Sequence, residues 1–171
     1  MSGKQRKRSR KTAKDNGTRM ETAVESYLQW ALDDPRIQRL RLHGSKDVGD
    51  IGNVYWHGQP VCIEVKWTQT MDAPQHMREA VTEAGNMDSP YPWVIQKKAG
   101  VGLTSMHKLG QQHAYTVTEV MDAMLRLSPS ALRARIKPGT IGKKKTMCLI
   151  TLQEFALILN SGLPLGPDTE E

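Results

Sequence analysis

The sequence has no apolar run approaching the roughly 20 residues that a membrane-spanning helix needs, so no membrane span is expected. Cysteine is scarce. Cys62 and Cys148 are the only two, each inside an apolar run, and no CxxC pair or Cys/His cluster occurs. That argues against a disulfide scaffold and against a zinc site, and both residues read as small buried hydrophobes. The five histidines lack ligand spacing and are expected to be structural or exposed. Acid is missing from the first 14 residues, which hold Lys4, Arg6, Lys7, Arg8, Arg10, Lys11 and Lys14. With those seven of the 24 Lys and Arg residues set aside, the rest of the chain is nearly neutral against its 18 acids. A basic arm of this kind suits a polyanion, most simply a nucleic-acid backbone; the plainer reading is a solubilising tail. The N-terminus also lacks the apolar core of a signal peptide, and the expectation is a cytoplasmic protein.

What is present is enough for one domain with a real core, since the chain has 171 residues, 38% of them hydrophobic. Residues 1–16 read as a disordered basic arm. "GTRMETAVESYLQWAL" reads as a helix: Thr18 and Glu21 form a capping-box pattern, and Met20, Val24, Tyr27, Leu28 and Leu32 follow helical spacing. "IQRLRLHG" predicts a first strand, and "IGNVYWHGQPVCIEVKW" a hairpin turning at "HGQP". "APQHMREAVTEAGNM" predicts a second helix with Met77, Ala80, Val81 and Ala84 on one face, followed by the strand "WVIQKK". Further on, "HAYTVTEVMDAMLRL" and "MCLITLQEFALIL" each read as a strand then a helix, with capping-box patterns at Thr116/Glu119 and Thr151/Glu154. Residues 128–146 read as an exposed loop. The domain plan is therefore an arm (1–16), a core (17–104), an α/β extension packed on it (105–165) and an acidic tail (166–171).

One stretch carries chemistry. In "CIEVKW" the period-2 alternation of a strand puts Glu64 and Lys66 on one face and Ile63 and Val65 on the other. Asp50 opens the preceding arm of the hairpin and can be brought beside Glu64. Two carboxylates on adjacent strands repel unless a cation lies between them. Mg²⁺ suits such a pair, because it binds through one or two carboxylates and keeps water and phosphate in its other positions. Lys66 adds a compact positive charge able to hold a phosphate.

Asp50 followed by Glu64-Val65-Lys66 resembles the signature of the PD-(D/E)XK nuclease superfamily. "GTRMETAVESYL" resembles the first helix of archaeal-type Holliday junction resolvases, in which a glycine is followed four residues on by an acidic metal-site residue; Gly17 and Glu21 match that pattern. "GSKDVGDIGNV" resembles the loop before the family's metal-binding aspartate, and "VCIEVKW" its central strand. The resemblance covers roughly residues 17–98. It implies an α/β (α+β mixed-sheet) fold with a restriction-endonuclease-like core and flanking helices. It further implies a Mg²⁺-dependent DNA endonuclease, with Mn²⁺ as a substitute, acting as a homodimer on four-way junctions. Asp50, Glu64 and Glu21 would be the metal ligands, with Lys66 completing the catalytic set. The sequence departs from the family at Gly49, where a proline is frequent, and at Thr22, where resolvases commonly carry arginine.

Alternatives stand beside these assignments. Glu21 suits the N3 place of a capping box as well as a metal site, Glu25 lies one turn later, and Asp47 competes with Asp50. Ser45 and Lys46 in the loop, and Lys97 and Lys98 at the end of the downstream strand, are candidate DNA contacts along with Lys4, Arg6, Lys7, Arg8, Arg10 and Lys11. Gln96 either reaches the site or is ordinary surface. Arg39 and Arg41 read as a solvated face. Beyond the resolvase reading stand a restriction-like or replication-repair nuclease, and a non-catalytic DNA-binding module in which Glu64 and Lys66 form only an ion pair.

Overall fold

The structure is a computed structural model that describes residues 9–41 and 47–168. The first helix, α1 (Arg10–Ala31), buries Met20, Val24, Tyr27, Leu28 and Ala31, the stripe its spacing predicts. It starts earlier than expected. Ser9 is its N-cap, with the hydroxyl accepting the Thr12 amide at 3.2 Å. Arg10, Lys11 and Lys14 therefore lie on a helix rather than in a disordered arm, and Thr18 and Glu21 are interior positions rather than a capping box. Once the packed part of a helix exists, each further residue adds one hydrogen bond for one ordered residue. Gly17 costs only about 1 kcal/mol in the interior and does not stop propagation.

A mixed sheet follows. Its short first strands are β1 (Gln38–Arg39), β2 (Ile51–Gly52) and β3 (Tyr55–Trp56), and its long central strand is β4 (Gln59–Lys66). The β3–β4 turn is tight: His57 and Gly58 both have positive φ, 48° and 75°, the signature of a type I′ hairpin. Helix α2 (Ala73–Asn86) then crosses to β5 (Tyr91–Gln96), which pairs parallel with β4, Glu64 opposite Val94 and Lys66 opposite Gln96. That crossover is the sheet's only parallel pairing among the described residues.

The C-terminal third is part of the same sheet rather than an added cap. After α3 (Met106–Gly110), β6 (His113–Val117) pairs antiparallel with β5. Helices α4 (Thr118–Arg126) and α5 (Ser130–Arg135), β7 (Gly139–Ile141), β8 (Met147–Thr151) and α6 (Leu152–Leu159) complete the chain. The strand order is β1-β2-β4-β5-β6-β8-β7, with β3 beside β4. Segment 128–146 is thus partly ordered into α5 and β7, because Leu132 and Ile136, one helical turn apart, are both buried. Thr116 does not cap α4. It is buried in β6 and its hydroxyl donates to Pro92 O. The Thr151/Glu154 capping box is formed as its pattern predicts.

Strand alternation sorts the core into two faces. Ile63, Val65, Trp93, Ile95, Ala114 and Ile150 pack with α1, α4 and α6, where Trp93 meets Phe155 at a ring-centroid distance of 4.4 Å. Val94, Tyr115 and Met147 face Ala73, Met77 and Ala80 of α2. Val81 departs from the expected α2 stripe and is 47% exposed; Glu83 takes its place inside. No helix among the described residues is long and apolar enough to cross a membrane.

Alanine at two of the glycines should act in opposite directions. Gly17 is helical with nothing within 4 Å of an added Cβ, so Gly17→Ala should stabilise by about 0.5–1 kcal/mol. Gly49 has φ +87° and an added Cβ would lie 3.0 Å from Ile63 O, so Gly49→Ala should destabilise by roughly 1–3 kcal/mol. Urea midpoints of the two variants should move apart; movement in the same direction would contradict the fold at one of them.

Candidate active site

Glu64 lies mid-strand in β4, which is paired on both edges, and is only 7% exposed. Asp50 is held beside it by the backbone. Its amide donates to Ile63 O at 2.8 Å, its carbonyl accepts from Leu40 N at 2.8 Å, and its Oδ2 accepts from Val65 N at 2.7 Å. The residue before it must let the chain pass close to β4. Gly49 does so at φ +87°, against Ile63 O and Cys62 Sγ. Proline, locked near −65°, cannot adopt that angle.

The two carboxyl groups are strained electrostatically. Burial, then repulsion from Glu64, pushes the Asp50 carboxyl up to about 8, against the hydrogen bond from the Val65 amide. Burial, then contact with the Glu83 carboxyl, pushes Glu64 up to about 8, against the hydrogen bond from Lys66. Lys66 Nζ sits 2.8 Å from Glu64 Oε1 and also bonds Glu79. Burial acts against its charge, but these two hydrogen bonds outweigh it and hold the ammonium above the ordinary lysine range.

Glu21 reaches the neighbourhood without joining the pair. Its carboxylate takes Arg39 at 2.8 Å, while its charge still contributes to the repulsion felt by Asp50. Glu25 instead accepts the Arg39 backbone amide, which commits it to the end of β1. Arg39 is therefore not a solvated residue: it is half-buried between two helix acids. Gln96 is not surface either. It is 2% exposed, and its side chain binds Tyr115 Oη at 2.7 Å, Thr68 Oγ1 at 3.0 Å and His76 Nδ1 at 3.3 Å. Asp47 is exposed and Arg41 is exposed. Lys4, Arg6, Lys7, Arg8, Ser45 and Lys46 lie outside the described residues.

Sequence reading missed Glu79, Glu83 and Arg19 here. Glu79 and Glu83 come from α2, and the signal for Glu83 was its place three residues after buried Ala80. Arg19 and Lys97 each lie 5.3 Å from the centre of the Trp67 ring, a cation–aromatic cluster immediately after Lys66. Lys97 also donates to Lys98 O. A groove of about 870 Å³, with Met77, Val81, Val117 and Met147 in its walls and Arg78, Lys143 and Lys144 around them, is larger than the cleft of about 280 Å³ beside Glu79 and Glu83, but none of the carboxylates lines it.

The donors are carboxylate oxygens only, the set a hard divalent cation prefers. A half-buried acid and a buried one that repel each other, and a third acid with an oxygen that meets no donor, fit such an ion. Among the described residues no three His, Cys, Asp or Glu side chains converge on one point, so water or phosphate would supply the remaining ligands. Comparison with protein-family models, curated proteins and solved structures finds no match for this chain.

The raised carboxyls make a pH prediction. Folded values near 8 lie above the ordinary carboxylate range near 4, so between those limits the folded protein binds protons that the unfolded chain has released. Stability contributed by these groups is full at the acid end and is lost as pH rises through about 8. In EDTA, the urea midpoint should fall from pH 5 to pH 8, and Asp50→Asn should flatten that fall. A midpoint rising over this range in wild type, with no change in Asp50→Asn, would contradict the mutual repulsion of Asp50 and Glu64.

Proposed function

We propose that the chain is a divalent-cation-dependent DNA endonuclease with a restriction-endonuclease-like core, and that it resolves four-way DNA junctions as a homodimer. The observation that carries the reading is the pairing of half-buried Asp50, just before β2, with buried Glu64 on neighbouring β4, the Lys66 ammonium fixed beside them. The order helix, antiparallel hairpin, helix, parallel strand in α1 through β5 is what the PD-(D/E)XK resemblance implies, and it supports the same reading.

Asp50 and Glu64 would hold Mg²⁺ or Mn²⁺. When bound, the cation supplies positive charge to the scissile phosphate and acidifies a water. Lys66 stays protonated at neutral pH because two carboxylates hold its charge, so its role is electrostatic: it stabilises charge developing on the phosphate and is not a base. Glu21 can join as a ligand only by giving up Arg39. Arg10, Lys11 and Lys14 on α1, with Arg19 and Lys97 near Trp67 and Lys98 just after β5, offer positive charge to the phosphate backbone. Two symmetric cuts in a junction need two sites, which a C2 dimer supplies.

A second reading keeps the Lys66 bonds to Glu64 and Glu79 as a purely structural network in a non-catalytic DNA-binding module. Labelled four-way junctions, flaps, single strands and linear duplex, incubated with Mg²⁺ and with EDTA, separate the two. Mg²⁺-dependent cutting, strongest on the junction, is the expected result. Cutting of none of them overturns the nuclease reading.

Asp50→Asn, Glu64→Gln and Lys66→Ala should each lower the cleavage rate by about 10²–10³, the usual cost of removing one preorganised electrostatic group, with DNA binding retained. Wild-type rates in Glu64→Gln would overturn the assignment. Deleting residues 1–8 removes Lys4, Arg6, Lys7 and Arg8 and leaves α1 intact. The slope of log K against log[salt] for duplex DNA should become shallower by roughly 0.9 for each phosphate that is no longer neutralised. An unchanged slope would make these residues a solubilising tail.

A further inference from the structure

Glu83 lies on α2 and is 6% exposed, yet its Oε2 is enclosed without a hydrogen-bond donor in reach. Its carboxyl is within hydrogen-bonding reach of the Glu64 carboxyl. Two carboxylates are both acceptors, so only a shared proton or a cation can make that contact favourable. The nearest ammonium does not serve. Lys66 is committed to Glu64 Oε1 and Glu79, and Asp47 and Asp50 add further negative charge around Glu83. A cleft of about 280 Å³ opens at the same place, lined by Asp47, Glu79, Thr82 and Glu83, and gives an ion a route from solvent.

We propose that Glu83 and Glu64 hold a second divalent cation on the α2 side of β4, with Glu64 bridging it to the cation held by Asp50. The proposal rests on the nuclease reading for the purpose of the ion. It rests on the orphaned Glu83 oxygen for the ion's place. Each cation has two protein carboxylates, and water or phosphate oxygens fill the rest of its shell. A pair of ions sharing one carboxylate can hold the attacking and the leaving oxygen of a phosphodiester at once. That arrangement gives α2, which carries none of the sequence motif, a direct part in the site.

Full-length protein, freed of metal, is titrated with Mn²⁺ in the absence of DNA, by calorimetry and by the electron paramagnetic resonance signal of free Mn²⁺. Wild type should bind two ions. Glu83→Gln, which keeps shape and removes a buried negative charge, should bind one, with affinity for the lost ion down at least tenfold. Asp50→Asn should also bind one, and Glu64→Gln should weaken both. Circular dichroism checks folding. Should Glu83→Gln not fold, Glu83→Asp serves in its place and should bind the second ion more weakly. Two ions bound as tightly in the Glu83 variant as in wild type would overturn the proposal, as would a wild type that binds one ion or none. If the count falls from two to one in Glu83→Gln while wild type cuts no DNA, the nuclease reading fails and the cation site stands. If wild type cuts DNA and the count is unmoved by Glu83→Gln, the cation site alone fails.

Discussion

A carboxylate in the middle of β4 is the constraint around which this molecule is arranged. Burying an ionised acid costs several kcal/mol unless it is paired. Glu64 has one such partner in Lys66, but the fold then places Asp50 against it and Glu83 beyond it. A chain selected only for stability would put apolar groups there. The cost is carried by the rest of the structure, above all by the apolar face of the same strands, where Ile63, Val65, Trp93 and Ile95 are enclosed by α1 and α6.

Beside its apolar cluster, the α2 face carries buried polar groups that are largely satisfied. Gln96, opposite Lys66 in the β4–β5 register, is tied to Tyr115, Thr68 and His76. A buried network with its hydrogen bonds made is rigid, and it fixes the floor on which Lys66 and Glu79 stand. Against this background the unsatisfied Glu83 oxygen is the exception. In folded proteins such a group calls for an explanation, an ion among them.

Arg39 shows how charge just outside the acid cluster sets the options of the site. Its guanidinium holds Glu21 and its backbone amide engages Glu25, so one residue on the short strand β1 decides what both helix acids do. Of the two, Glu21 keeps its side chain toward Asp50, and its negative charge adds to the repulsion there. Gly49 plays the equivalent part for the backbone. Its left-handed conformation brings Asp50 against β4 at a distance that would crowd any added Cβ.

What the sequence by itself determined was local. Period-2 alternation put Glu64 and Lys66 on one face of a strand, helical spacing marked the buried stripe of α1, and Thr151 with Glu154 announced a helix start, because each depends on residues within one or two turns of one another. The tertiary structure decided what depends on distant partners. The length of α1 came from propagation out of a packed segment, and the C-terminal strands joined the sheet because β5 had an open edge for β6 to pair with. Arg39 and Gln96 looked like surface in the chain; Arg39 became half-buried against α1 and Gln96 fully buried once β6 closed over it. Glu83 belongs to no motif in the chain, and only the packing of α2 on β4 turned it toward Glu64, where a buried like charge has to find a proton or a cation.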